Sequence, residues 1–89
     1  MSNGRMVVYS QHALNQMRER DISKREISFI LNKPDGLVEQ SSGKFQAVKL
    51  VIKNSRPFLL VVIYRQTDAG YRIITAFLTS KINKYLKQL

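Results

Sequence analysis

His12 is the one histidine of the chain, and it stands two residues after Ser10 at the start of a run of helix-forming residues. If Ser10 caps a helix, His12 falls in its first turn. There the helix dipole disfavours the imidazolium, and free amide N–H groups point outward toward an anion. At about 100° per residue it lies roughly opposite the stripe of Ala13, Leu14 and Met17, away from the core under that helix. Such an imidazole can serve as general acid or base; the competing reading is an ordinary, partly exposed histidine. Arg65 and Arg72 flank one loop and can approach each other across it, and a guanidinium takes a phosphate bidentately. The chain has no cysteine, no H-E-x-x-H and no Gly-rich phosphate loop, and five of its six carboxylates fall in the first half, mostly at cap or turn positions. Neither a metal site nor a cofactor is expected. A toolkit of His, Lys, Arg, Tyr and hydroxyls suits RNA cleavage, because RNA carries its own nucleophile, the 2′-OH. The protein need only hold the backbone in line, move protons and neutralise the phosphorane oxygens.

The charge distribution agrees with a polyanionic partner. Residues 1–43 hold six Lys/Arg against five Asp/Glu; residues 44–89 hold nine against Asp68 alone, so +8 of the net +9 belongs to the second half. Excess lysine for solubility is the bland account; a basic surface that sits on phosphates is the sharper one. Lys44, Lys49 and Lys53 lie on or beside predicted strands, with Lys49 and Lys53 on one face because their spacing is even. Aromatics stand beside bases at Lys44-Phe45, Tyr64-Arg65, Tyr71-Arg72 and Lys84-Tyr85, which resembles the interleaving of an RNA-binding surface. Neighbours on a strand face opposite ways, however, so Tyr64 and Tyr71 read more readily as core-edge rings than as stacking platforms. Arg20, Thr75 and Lys81 complete the candidate contacts. Thr75 competes with a role in strand bonding, and Arg20 with a pairing to Glu19 or Asp21.

These residues need elements to hold them. Arg5–Tyr9 is β-branched and predicts a first strand; Gln11–Arg20 predicts a helix. Ser23-Lys24-Arg25-Glu26 is a capping box, with Ile22 and Ile27 as its hydrophobic staple, and Pro34 ends that second helix. Beyond Gly36 the period changes to two. Leu37–Gln40, Phe45–Lys53, Phe58–Arg65 and Tyr71–Leu78 predict strands, with turns at Ser41–Lys44 and Asn54–Pro57 and a hairpin loop over Gln66–Gly70. Thr79 or Ser80 can cap a final helix whose apolar stripe is Ile82, Tyr85, Leu86 and Leu89. Helices followed by consecutive strands predict an α+β fold with an antiparallel sheet.

Ser10-Gln11-His12-Ala13, then Met17, Arg20, Ile22 and the Ser-x-x-Glu-Ile of the second helix, resemble domain-of-unknown-function family 4258. Its members look like S-x-H-A-x-x-R-M-x-x-R-G-I, followed by a helix ending near Asn/Lys-Pro and a late V-x-T-like strand, here Ile73-Ile74-Thr75-Ala76. Gln16 stands where the family often has arginine and Asp21 where it often has glycine. The arrangement is similar to the group of barnase, colicin D and RelE-like ribonuclease toxins. That resemblance implies N-terminal helices packed on a four-stranded antiparallel sheet with a C-terminal helix, and metal-independent RNA cleavage. Only His12 and Arg20 carry over with motif support.

The expectations are therefore a single domain over residues 1–89, without a membrane span or signal peptide, in the cytoplasm. His12, Arg65 and Arg72 are the candidate catalytic residues of a small basic ribonuclease, a toxin of a toxin–antitoxin or competition system. Arg20, Lys44, Lys49, Lys53, Tyr64, Tyr71, Thr75 and Lys81 are the candidate nucleic-acid contacts. The partners would be RNA (tRNA and mRNA both open) and an acidic antitoxin or immunity protein. A non-catalytic RNA- or DNA-binding module, or a protein-interaction module with an acidic partner, are the alternatives.

Overall fold

Two serine caps set the helical layer. In the computed structural model, which describes residues 6–86, the Ser10 hydroxyl accepts the Ala13 N–H at 3.0 Å and opens α1, Gln11–Arg20. Ser23 opens α2, Lys24–Asn32, with both arms of the capping box in place: Glu26 N–H to Ser23 Oγ at 3.1 Å, and Ser23 N–H to Glu26 Oε1 at 2.9 Å. Ile22 and Ile27, the staple pair, are both buried. α1 ends on Asp21 in the left-handed region, φ 56° and ψ 48°, where glycine is the usual occupant and Asp is among the tolerated ones. That conformation accounts for the glycine that the resembling motif carries at this position.

The strands are β1 Met6–Tyr9, β2 Gly36–Ser41, β3 Lys44–Lys53, β4 Arg56–Gln66 and β5 Gly70–Thr79, and a short helix α3, Ile82–Leu86, follows them. β2 to β5 form an antiparallel meander. The β3–β4 turn is tighter than the sequence suggested: Asn54 and Ser55 alone turn the chain, both with positive φ, and Arg56 already pairs with Lys53. Arg5, at the start of the expected first strand, and Lys87 and Leu89, beyond α3, lie outside the described residues.

The expected four-stranded, wholly antiparallel sheet, as in barnase and RelE-like proteins, is not what forms. The sheet has five strands in the order β1-β5-β4-β3-β2, and β1 joins β5 in parallel, Met6 opposite Gly70 through Tyr9 opposite Ile73. Hairpin logic finds the meander because its strands are sequential neighbours. It cannot place β1, whose partner lies across both helices and three strands of chain. The pairing needs Gly70: a Cβ there would sit 2.1 Å from the Met6 carbonyl oxygen, and its φ is +153°.

The sheet has two unlike faces. Ala47, Leu60, Val62, Tyr64, Ile73 and Ala76 form the core with Ala13 and Met17 of α1 and Ile27 and Ile30 of α2. On the other face Ile82 and Tyr85 of α3 cover only Val48, Leu59, Val61 and Phe77. Both ends of that second face stay open, leaving Leu50 and Ile52 exposed at one of them. Replacing Gly70 by alanine is expected to detach β1 and destabilise the protein by on the order of 2 kcal/mol or more. Urea unfolding reads the loss, and amide exchange at Met6–Tyr9 should rise with it. An unchanged midpoint with protected β1 amides would contradict this packing.

Candidate nucleic-acid interface

Alternation along β3 divides the basic residues between the faces. Lys49 and Lys53 point to the helical side and are bound there. The Lys53 ammonium lies 2.8 Å from Glu26 Oε2 and donates to the Asp21 carbonyl at 2.9 Å, at the entry to α2. The Lys49 ammonium donates to the Lys33 carbonyl at 2.9 Å, lies 3.7 Å from Asp35 Oδ1 and stands 4.8 Å over the Phe29 ring, at the exit of α2. Two residues read as phosphate contacts thus clamp the two ends of α2 to β3.

Lys44, Arg65 and Arg72 point the other way. The register sets Lys44 opposite Arg65, and Arg65 opposite Arg72, on three adjacent strands; Val8 of β1 continues the row. Phe45, Tyr64 and Ile73, one step along, lie on the core side, so this row lies on the open face. Arg65 Nη1 donates to the Ser42 carbonyl at 3.2 Å. Among the described residues none of the three cations has a carboxylate partner. The strands hold a single carboxylate, Glu39, which is paired with Phe45 on the helical side and accepts the Gly43 N–H.

Tyr64 and Tyr71 are not on this face. Tyr64 is 6 % exposed, stacked on Phe45 at 5.5 Å between centroids and edge-on to Tyr71 at 5.3 Å. Burial, and next the neighbouring Tyr71, hold its phenol above the usual pKa. A base reaching Tyr64 would have to displace that packing.

The first turn of α1, in the helical layer, is fastened to the edge of β5. β1 ends at Tyr9; Ser10 N–H then donates to the Ile73 carbonyl at 3.0 Å and Ser10 Oγ to the Ile74 carbonyl at 2.9 Å. His12 is exposed on that turn, which touches β5 within two residues of Arg72. Beyond Ile73 the outer edge of β5 has no strand beside it, and Gln16 takes over. Its Oε1 accepts the Ala76 N–H at 3.2 Å, so the same oxygen must also accept from the Thr75 hydroxyl, to which it is bonded. The one proton of Thr75 is thereby committed to Gln16 and is not available to a phosphate. Sequence reasoning marked Gln16 only as a departure from a motif; its long-range partners left no local signal. Arg20, at the end of α1, is exposed and without an ion pair among the described residues. Lys81 is exposed before α3, its N–H held by Thr79 Oγ1 at 3.0 Å. Neither stands in the Lys44–Arg65–Arg72 row.

Fold and site together define a small domain with a helix-covered sheet and a cationic open face. Residues 9–78 match the family described as Domain of unknown function (DUF4258), and the chain belongs to it. The match runs from the end of β1 almost to the end of β5, so it includes the basic row and leaves α3 outside. No curated protein and no solved structure matches the chain. Among the described residues no helix is long and apolar enough to cross a membrane, and no three His, Cys, Asp or Glu side chains are grouped to hold a metal ion.

The clamp on α2 has a pH signature. Burial by itself would raise the Glu26 carboxyl, but the hydrogen bonds from Lys53 and Ser23 and the Lys53 charge outweigh it, and Glu26 sits below the ordinary range. A folded-state pKa below the unfolded value of about 4.3 means the contribution is complete above that value and lost as pH falls through the folded pKa. Glu26→Gln should therefore lower stability by about 1 kcal/mol at pH 7, and the difference from wild type should vanish in strong acid. Urea midpoints at several pH values measure it; a gap that does not close in acid would contradict the clamp.

Proposed function

We propose that this protein binds RNA on its open sheet face and cleaves it without a metal. One observation carries the reading: three cations, Lys44, Arg65 and Arg72, stand side by side on adjacent strands of a face to which no strand contributes a carboxylate. Like charges directly opposite each other in a sheet are unfavourable, so such a row suits an anionic ligand better than it suits the free fold. The two arginines take the non-bridging phosphate oxygens bidentately and stabilise the charge that grows on them during attack. In this reading His12, exposed on the first turn of α1, handles the protons. The RNA 2′-oxygen bonds to phosphorus, its proton leaves to the base, the bond from phosphorus to the 5′-oxygen breaks, and that oxygen takes up a proton. The products are a 2′,3′-cyclic phosphate and a 5′-hydroxyl.

The likeness in arrangement to metal-independent ribonuclease toxins does not carry over to this sheet, so the reaction class rests on the cationic row and on the His12 motif. The proposal extends to a toxin, held in check by an acidic antitoxin or immunity protein that covers the cationic face. A second reading is a non-catalytic RNA-binding module. It is favoured by His12 itself, which has no hydrogen-bonded group to orient its ring among the described residues.

Incubating the protein with total RNA in EDTA separates the readings. The expected outcome is fragments ending in 2′,3′-cyclic phosphate, with cleavage reduced about 100-fold or more by His12→Ala, and growth arrest on expression that the same substitution relieves. RNA bound but left intact supports the binding module and removes the ribonuclease. Equal cleavage by His12→Ala removes His12 from the reaction.

A further inference from the structure

We propose that Gln16 holds a phosphate of the RNA beside His12, an inference that rests on the RNA reading above. The Gln16 carboxamide is spent on one side only. Its Oε1 accepts the Ala76 N–H at 3.2 Å and also the Thr75 hydroxyl, so both lone pairs of that oxygen are used. A backbone N–H can only donate, which fixes the atom it meets as the oxygen and the other end of the amide as the NH2 group. That group carries two donors, and no hydrogen bond among the described residues uses them. The side chain is half-buried and tied to two points of β5, so the direction of its free end is set before any ligand arrives. A donor held in place in this way costs little further ordering when it meets an oxygen.

The sheet margin is irregular where this side chain meets it. Tyr64 pairs with Ile73 and Ile63 with Thr75, so Ile74 is an extra residue in β5. A bulge at a sheet edge re-aims the groups beside it. Ser10 takes the Ile73 and Ile74 carbonyls, and Gln16 takes Thr75 and Ala76 just beyond them. His12 lies between these two anchors in sequence. It is four residues before Gln16, which makes the two neighbours on one face of α1 with Cβ atoms about 5–6 Å apart. His12 is exposed and has no hydrogen-bonded partner among the described residues. Arg20, four residues further on, extends the same stripe. Glu19, the one carboxylate within α1, lies about two turns beyond His12 and next to Arg20, which offsets its charge. An amide and an imidazole at this spacing suit one phosphodiester. The amide donates to a non-bridging oxygen and fixes the group in place, and the imidazole meets the oxygens that gain or lose a proton.

The test uses the whole protein, isotopically labelled, and a 2′-O-methyl tetranucleotide, which lacks the nucleophile and therefore reports binding apart from cleavage. His12 is the only histidine, so its ring signals are unambiguous in NMR spectra. Titration should move the His12 ring and the Gln16 side-chain NH2 signals together, along one saturation curve. Gln16→Glu keeps an oxygen for Ala76 and Thr75 but removes the amide protons. It is expected to melt as wild type does, to bind the tetranucleotide roughly tenfold or more weakly, and to cleave total RNA more slowly to match. Gln11→Glu adds the same charge to the same helix at a residue whose amide already donates to Asn15 Oδ1 at 3.0 Å, and it should lose far less. Equal losses in the two variants would reduce Gln16 to a brace of the sheet edge and overturn the inference. Shifts at Arg65 and Arg72 with none at His12 and Gln16 would also overturn it while leaving the RNA reading intact. No shift at any residue would overturn both. Joint shifts at His12 and Gln16 in a wild type that leaves RNA uncut would uphold the contact and remove the cleavage.

Discussion

The close approach of Met6 to Gly70 is the contact on which the arrangement of the whole first half depends. It lets β1 lie parallel to β5 with no side chain between the two backbones. Because β1 is only four residues long, α1 begins at once, and Ser10 fastens its first turn to the Ile73 and Ile74 carbonyls. His12 is thereby carried, exposed, on a turn that is fastened to the sheet edge. The Gln16 oxygen continues the same edge where β1 stops, holding Thr75 and Ala76 as a neighbouring strand would. A side chain and a strand complete one hydrogen-bonded margin between them.

The second organising fact is the two-residue period of β3. It sends Lys49 and Lys53 to the helices, where carbonyls and carboxylates meet them, and Lys44 to the open face with Arg65 and Arg72. The same composition therefore serves two purposes. Part of the +9 is internal fastening of α2, while Lys44, Arg65 and Arg72 stand on the open face. Net charge describes the attraction felt at long range; strand parity decides which charges touch.

Much of this was readable locally. The capping box, its staple and the alternation of β3 depend on residues within a few positions of one another, and they formed where the pattern placed them. The even spacing of Lys49 and Lys53 correctly put them on one face. What the spacing could not say is what covers that face, since Asp21, Glu26 and Lys33 come from another layer. β1 escaped for the same reason: four β-branched and apolar residues announce a strand but not its partner, and the partner is more than sixty residues away. The pairing of Tyr64 with Arg65 as neighbours in sequence is the instructive case. Adjacency hinted at a shared surface, strand parity already argued against it, and the pleat put the ring in the core and the guanidinium outside.

The row of Lys44, Arg65 and Arg72 also bears on how the unliganded molecule lives. Mutual repulsion at that margin works against the β3–β4–β5 pairing that creates it. The fold carries this burden because a long hydrophobic ladder, from Val48–Val61 to Ala76–Val62, lies just inside. A polyanion bound there would relieve the repulsion and so raise the melting temperature with occupancy. That margin is thus held together by the apolar rows beside it, and its internal repulsion is a load that a bound anion would lighten.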